Sequence, residues 1–119
     1  MSDPEAVRRK MKELGCCVII PTYNNAGTLE KVIRDVLEYT DSIIVVNDGS
    51  TDTTSEILSP VTSHQSPVTV ITSPKNSGKG YALRQGFHFA IQQGYRYAIT
   101  IDSDGQHFPE DIPKFIEGI

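Results

Sequence analysis

The stretch Cys16-Cys17-Val18-Ile19-Ile20-Pro21-Thr22-Tyr23-Asn24 decides the fold class, because it joins an uninterrupted apolar run to a polar loop. An apolar run without alternation is typical of a strand that is buried on both faces of a parallel sheet. Similar apolar runs, each followed by a polar loop, recur at residues 43–46, 68–71 and 97–101. We read the run at 97–101 as a buried strand as well.

Segments with helical spacing separate these runs, so strand and helix alternate along the chain. Asp3 and Pro4 predict the N-cap and first position of a helix that ends at Gly15. The helix after Gly80 carries an apolar face of Leu83, Phe87, Ala90 and Ile91, and a last helix starts near Pro109. This order predicts an α/β fold, an open and mostly parallel sheet with helices on both faces.

Composition limits the classes of function. The chain has 119 residues, a formal net charge of −4 and a pI near 5.2. One small domain of this charge argues against a nucleic-acid partner held by phosphate neutralisation. Cys16 and Cys17 are adjacent within an apolar run, so we read them as reduced core residues of an intracellular protein. No apolar run approaches the ~18 residues of a membrane-spanning helix.

The polar loops should meet at one edge of the sheet, where ligands of such folds bind. Residues 21–24 offer an aromatic face, a hydroxyl and an amide that suit a flat heterocycle, although a loop tyrosine often only packs. Asp48, which precedes Gly49, could accept an N–H from a base or a ribose hydroxyl. An Asx-turn within Asn-Asp-Gly is the simpler alternative for Asp48.

The third loop, Asn76-Ser77-Gly78-Lys79-Gly80, lies just before a helix N-terminus. Free backbone N–H groups, the helix dipole and an ammonium group favour a phosphate-binding loop here. It is not a P-loop, because Gly80 stands where Ser or Thr should follow the lysine. Arg84 lies further along the same helix and could face the same pocket.

The fourth loop contains Asp102-Ser103-Asp104. Alternate residues of an extended strand point to the same side, so the two carboxylates can converge. Two converging carboxylates repel unless a cation lies between them, and Mg²⁺ or Mn²⁺ is the natural candidate. A solvated turn is the simpler alternative. A nucleoside diphosphate is the ligand that uses all four loops.

Four ordered motifs resemble family 2 glycosyltransferases with the GT-A fold: residues 21–24, 45–52, 76–86 and 102–107. The resemblance runs from about residue 18 to residue 115. It implies a UDP- or GDP-sugar donor, with Thr22 and Asp48 at the base, the Lys79 region beside the donor, and Asp102 and Asp104 on a metal–diphosphate. The expected nucleotide-sugar site comprises Pro21, Thr22, Tyr23, Asn24, Asp48, Gly49, Asn76, Gly78, Lys79, Arg84, Asp102, Ser103 and Asp104.

The Asp-Gly-Gln-His ending at residues 104–107 resembles the branch that glycosylates polyprenyl phosphates, such as dolichyl-phosphate mannose or glucose synthases. His107 could touch phosphate or metal. The family's enzymes are inverting, and their general base usually lies well downstream of this motif, so we expect it beyond Ile119. Residues 1–119 would then be the nucleotide-sugar-binding portion, with residues 1–15 as an N-terminal helix and the acceptor half missing.

Such a portion is expected to be inactive alone, and the full-length protein is expected in the cytoplasm at the cytosolic face of a membrane. A lipid phosphate, a glycan and a protein all remain open as acceptors. Two rival functions also remain. The chain could be a non-catalytic nucleotide-binding module, or a haloacid-dehalogenase-type phosphatase with Asp102 as its nucleophile. In those phosphatases the motif follows the first strand, whereas here it follows the fourth.

Overall fold

The computed structural model describes residues 3–58, 67–104 and 111–118. Helices and strands alternate along them as the sequence predicts, which confirms the α/β class. The elements are α1 (Pro4–Leu14), β1 (Cys16–Thr22), α2 (Ala26–Leu37), β2 (Ile43–Asp48), α3 (Thr54–Leu58), β3 (Val68–Ser73), α4 (Lys79–Gln92), β4 (Tyr97–Thr100) and α5 (Ile112–Glu117).

The four described strands form one parallel sheet in the order β3-β2-β1-β4. Ile19 of β1 is level with Ile44 of β2 on one side and with Thr100 of β4 on the other. The chain moves outward from β1 to β3 and then returns to the opposite side of β1. The strand order therefore reverses between β1 and β4, and the crevice at such a reversal is where open α/β sheets bind ligands.

Strand β1 is fully buried and contributes side chains to both layers of the core. Val18 and Ile20 pack with α1, α2, α3 and α5, whereas Cys17 and Ile19 pack under α4. Burial raises the pKa of the Cys16 thiol to about 11 and that of Cys17 to about 12. Both cysteines are free, so the prediction of reduced core cysteines is confirmed.

Helix α1 begins and ends where its capping residues predict. The Asp3 carboxylate accepts a hydrogen bond of 3.1 Å from the Glu5 N–H, and Pro4 occupies the first turn. Gly15 follows the helix with a φ of +68°, a left-handed conformation that favours glycine. In the described part of the chain, no helix is long and apolar enough to cross a bilayer.

Helix α4 buries only part of the predicted face: Ala90 is buried and Leu83 is partly buried against the core, but Phe87 and Ile91 are exposed. The buried residues are Ala82, Gly86 and Ala90, whereas Phe87 is 39% exposed and Ile91 is 72% exposed. The reason is close packing on the sheet: a Cβ at Gly86 would lie 2.7 Å from Ile19 Cγ2. Small residues permit this approach, whereas Phe87 and Ile91 lie on the more exposed side of the helix.

Strand β4 also differs from its prediction, because it is an edge strand rather than a buried one. It pairs with β1 alone among the described strands. Tyr97 is therefore 44% exposed, and the strand ends at Thr100 instead of Ile101. Ile101 itself is buried, and its N–H still donates a bond of 3.0 Å to the Ile19 carbonyl.

The close approach of α4 to the sheet predicts opposite effects for two helical glycines. We expect Gly86→Ala to lower the free energy of unfolding by about 1–3 kcal/mol, because the added methyl group overpacks against Ile19. Gly27→Ala in α2 has nothing within 4 Å and should raise it by about 0.5 kcal/mol through reduced chain entropy. Urea unfolding of both variants checks this; equal effects would contradict the close packing.

Candidate functional site

A cleft of about 300 Å³ lies at the carboxyl ends of the strands, beside the first turn of α4. All of the predicted site residues line it except Asn24, Gly49 and Arg84, and the sequence analysis missed two lining residues, Asn25 and Ala82. The cleft is lined by Pro21, Thr22, Tyr23, Asn25, Asp48, Asn76, Gly78, Lys79, Ala82, Asp102, Ser103 and Asp104.

Asp48 ties the end of β2 to the loop before α4. Its side chain is buried, and its two oxygens accept the backbone N–H groups of Ser77 at 3.0 Å and Gly78 at 2.9 Å. The turn-forming bond predicted as an alternative role for Asp48 is made by Asn47, whose Oδ1 accepts the Ser50 N–H at 3.2 Å. Each carboxylate oxygen has two lone pairs, so Asp48 can still accept a hydrogen bond from a ligand.

Gly49 shapes the cleft without lining it. Its φ is +71°, and a Cβ there would lie 2.3 Å from the Lys75 carbonyl carbon and 2.4 Å from the Asn76 nitrogen. The backbone after β2 thus touches the backbone of the loop before α4, which only glycine allows. Arg84 is exposed on α4 and is not among the residues that line the cleft.

Asn24 joins two loops instead of lining the cleft. Its Oδ1 accepts the backbone N–H groups of Thr51 at 2.7 Å and Asp52 at 3.2 Å. Asp52 in turn accepts the Ala26 N–H at 3.2 Å and both the N–H and the hydroxyl of Thr54. The Thr54 hydroxyl, followed by these backbone N–H groups, lowers the pKa of Asp52 and so favours its charged form.

The two metal-candidate carboxylates lie at a turn after β4, whereas the prediction that they converge was based on extended-strand geometry. Strand β4 ends at Thr100, yet Asp102 and Asp104 both line the cleft. Between them, Ser103 is 1% exposed and is held by α2: its Oγ accepts the Asn25 Nδ2–H at 2.8 Å, and its carbonyl accepts the Thr28 hydroxyl. No sequence signal pairs residues so far apart along the chain.

Lys79, the first residue of α4, makes an ion pair with Asp102. The distance from Nζ to Oδ1 is 2.6 Å, and the side chains are 61% and 24% exposed. The contact joins the loop predicted to bind phosphate to the turn predicted to bind metal. Ion pairs of this exposure contribute little to stability on average. The pair matters instead because it sets the charge inside the cleft.

Thr22, the last residue of β1, carries a hydroxyl group that is not satisfied within the protein. Its Oγ1 is buried and has no hydrogen-bond partner among the described residues. Burying a hydroxyl without a partner costs about 1–3 kcal/mol. Because Thr22 lines the cleft, a ligand placed there could supply the missing partner.

The donor set fits a metal that arrives together with phosphate. Within residues 3–58, 67–104 and 111–118 there is no group of three or more His, Cys, Asp and Glu side chains that could hold an ion. Mg²⁺ and similar ions are commonly bound through one or two carboxylates together with substrate phosphates and water. Asp102 and Asp104 suit that arrangement. His107, which could have added a ligand, lies outside the described residues.

Comparison with known proteins identifies the family. The model of the glycosyl transferase family 2 matches residues 17–119. The chain belongs to this family. Membership confirms the resemblance drawn from the four motifs, and it favours the glycosyltransferase interpretation over the phosphatase one.

Curated relatives include transferases named for polyprenyl phosphates. The chain is 33% identical over 115 residues to a UDP-N-acetylglucosamine–dolichyl-phosphate N-acetylglucosaminyltransferase of Methanococcus voltae, covering 86% of this chain and 46% of that protein. It is 39% identical over 108 residues to a dolichol-phosphate mannosyltransferase of Pyrococcus furiosus, covering 86% and 29%. The chain thus spans less than half of the length of either relative.

Solved structures confirm the GT-A fold. Glucosyl-3-phosphoglycerate synthase of Mycobacterium tuberculosis, solved with Mn²⁺, UDP and glucosyl-3-phosphoglycerate, superposes with a TM-score of 0.70 at 24% identity, over 94% of this chain and 42% of that one. A mannosyltransferase of Pyrobaculum calidifontis, solved with GDP-mannose and Mn²⁺, gives 0.63 at 23% identity, over 75% and 27%. At these identities the likeness concerns the fold.

The unsatisfied hydroxyl group of Thr22 predicts an unusual response to mutation. Thr22→Val should leave the free energy of unfolding unchanged or raise it by up to about 1 kcal/mol, because no hydrogen bond is lost. Thr54→Val is the matched control, since Thr54 is equally buried but its hydroxyl donates to Asp52; it should lose about 1–2 kcal/mol. Chemical denaturation measures the free energy of unfolding of both variants. If Thr22→Val lost as much as Thr54→Val, the Thr22 hydroxyl would have a hydrogen-bond partner in the folded protein, and the prediction would be wrong.

Proposed function

We propose that this chain is the donor-binding part of an inverting glycosyltransferase. The enzyme would transfer the sugar of a UDP-sugar or GDP-sugar donor to a polyprenyl phosphate. One observation carries the proposal: three features line a single cleft at the point where the strand order reverses. They are the unsatisfied Thr22 hydroxyl, the loop before α4 that is predicted to bind phosphate (the phosphate-type loop), and the carboxylates of Asp102 and Asp104. Membership of glycosyltransferase family 2 supplies the reaction class. The acceptor half and the general base would lie beyond Ile119, and the chain alone would be inactive.

The base and ribose would bind at the ends of β1 and β2. Tyr23 is 41% exposed at the cleft and offers a ring face for stacking. The Thr22 hydroxyl would gain the partner that it lacks in the protein. Asp48 would accept a bond from a base or ribose donor while it continues to hold the loop before α4. Pro21 completes this wall of the cleft.

The diphosphate would lie between the N-terminus of α4 and the turn after β4. Gly78 and Lys79 present the helix N-terminus and an ammonium group, both of which favour phosphate. Asp102 and Asp104 would hold the Mg²⁺ or Mn²⁺, with Ser103 fixing the turn between them. The bound metal would supply Lewis-acid stabilisation of charge on the leaving diphosphate. Solved neighbours that contain Mn²⁺ support a divalent ion.

The choice of acceptor rests on the relatives and on the Asp-Gly-Gln-His ending. Relatives at 33% and 39% identity are named for dolichyl phosphates, and one of them is named for a UDP-sugar. These names support a lipid-phosphate acceptor and leave the donor base to experiment. Because a lipid acceptor resides in a membrane, we also propose that the full-length protein acts at a membrane, at its cytosolic face.

Calorimetric titration of UDP and of GDP, with and without Mn²⁺, tests the donor site. One nucleotide should bind the chain, and Mn²⁺ should strengthen its binding. Asp104→Asn should weaken the Mn²⁺-dependent binding about tenfold or more, because one of two carboxylate ligands is lost. Asp35→Asn removes the same charge from an ion pair with Lys31 away from the cleft and should bind like the original. Binding of neither nucleotide to the folded chain would refute the proposal.

The bonds from α2 to Ser103 make Asn25 and Thr28 positioning residues for the two carboxylates. Thr28→Val and Asn25→Ala should each reduce the enhancement of nucleotide binding by Mn²⁺, by about tenfold, as losses of supporting hydrogen bonds around metal ligands do. Binding without metal should change little. Thr28→Ser keeps the hydroxyl and should restore the enhancement. Equal weakening with and without Mn²⁺ would indicate a general structural role instead.

A further inference from the structure

The ion pair between Lys79 and Asp102 joins two side chains that the proposed function assigns to different ligands. Lys79 belongs to the phosphate-type loop, and Asp102 belongs to the metal turn, yet Nζ and Oδ1 are 2.6 Å apart. A divalent ion on the Asp102 carboxylate would lie within about 5 Å of this ammonium group, where two cations in a partly desolvated cleft repel strongly. Lys79 and a metal ion therefore cannot both use Asp102 without cost.

We propose that Lys79 competes with the metal ion for Asp102, so that the cleft selects the metal–nucleotide complex over the free metal. When the nucleotide binds, its phosphate oxygens accept hydrogen bonds from the Lys79 ammonium group. Lys79 then leaves Asp102, and the Asp102 carboxylate becomes available to the metal ion. Lys79 is thus a selectivity residue as well as a phosphate ligand. The inference rests on the proposed donor site and adds to it a dependence of metal binding on the diphosphate.

The charge distribution of the cleft supports this role. Of the residues that line the cleft within the described chain, Lys79 alone is basic, whereas Asp48, Asp102 and Asp104 are acidic. Asp48 is already engaged with the backbone N–H groups of Ser77 and Gly78. Among the described residues that line the cleft, the ammonium group of Lys79 is therefore the charge that offsets the carboxylates of the metal turn.

The more exposed partner in this pair is the lysine. Asp102 is 24% exposed and precedes Ser103, which is buried and bonded to α2, so its position is restricted. The Lys79 side chain is 61% exposed, and its flexible four-carbon stem can turn from a carboxylate to a nearby phosphate. The backbone beneath it is held by the Gly78 N–H, which donates to Asp48 at 2.9 Å. The side chain can therefore move without moving the loop.

Removing the ammonium group should have opposite effects on the two ligands. Lys79→Met should bind Mn²⁺ alone more tightly, since the competing cation is gone. The same variant should bind the nucleotide in Mn²⁺ more weakly, because it lacks the phosphate contact. A lysine that only binds phosphate would change the second quantity and not the first.

The experiment measures the Kd of Mn²⁺ by the electron paramagnetic resonance signal of the free ion, with and without UDP or GDP. Lys79→Met and Lys79→Gln should each lower the Kd of Mn²⁺ alone about fivefold or more, and raise the nucleotide Kd in Mn²⁺ about tenfold. Lys75→Met is the matched control: Lys75 lies in the same loop but does not line the cleft, so both constants should match those of the original chain. Circular dichroism verifies folding.

The outcomes separate this inference from the proposed function. If the original chain binds a nucleotide with Mn²⁺ but neither Lys79 variant lowers the Kd of Mn²⁺ alone, competition for Asp102 is refuted and the donor site stands. An equal gain in Lys75→Met would also refute it, because the effect would then be one of net charge. If the original folded chain binds neither UDP nor GDP, both proposals fail.

Discussion

Burial of β1 on both of its faces is the constraint on which the rest of the structure depends. Its side chains alternate between two core layers, so helices must cover the sheet on both sides. Helical crossovers on both sides keep all of the described strands parallel. Every strand therefore ends at the same edge, and the loops that follow them approach one another there. The cleft therefore follows from the helices that cover both faces of the sheet, because they bring the loops after the strands together at one edge.

Side-chain and backbone bonds between loops give this edge its shape. Asp48 holds the loop before α4 through two backbone N–H groups, and Gly49 allows that loop to approach within van der Waals contact. Ser103 is held by Asn25 and Thr28 from the start of α2. Both arrangements bring together segments that are distant in sequence. The positions of Lys79 and Asp102 thus depend on neighbouring loops as well as on their own strands and helices.

The electrostatics of the cleft suit a ligand that carries both signs of charge. The carboxylates of the aspartates attract a cation, whereas the ammonium group of Lys79 and the N-terminus of α4 attract an anion. A metal-bound diphosphate meets both needs, while a free ion of either sign meets one and opposes the other. The Thr22 hydroxyl, which has no hydrogen-bond partner among the described residues, adds a polar group to the lining of the cleft. These features agree with a nucleotide-sugar donor in a family 2 glycosyltransferase.

The sequence by itself determined the order of elements, the class of sheet and the edge at which the site forms. Apolar runs, helical spacing and the caps at Asp3 and Gly15 are local signals, and local sterics and burial suffice to interpret them. Tertiary structure alone decided which residues of α4 are buried, because the helix approaches the sheet closely at Gly86. It also decided that β4 is an edge strand, that Asn25 reaches Ser103, and that Lys79 pairs with Asp102. Each of these depends on distances between segments far apart along the chain, and a one-dimensional pattern contains no such distances.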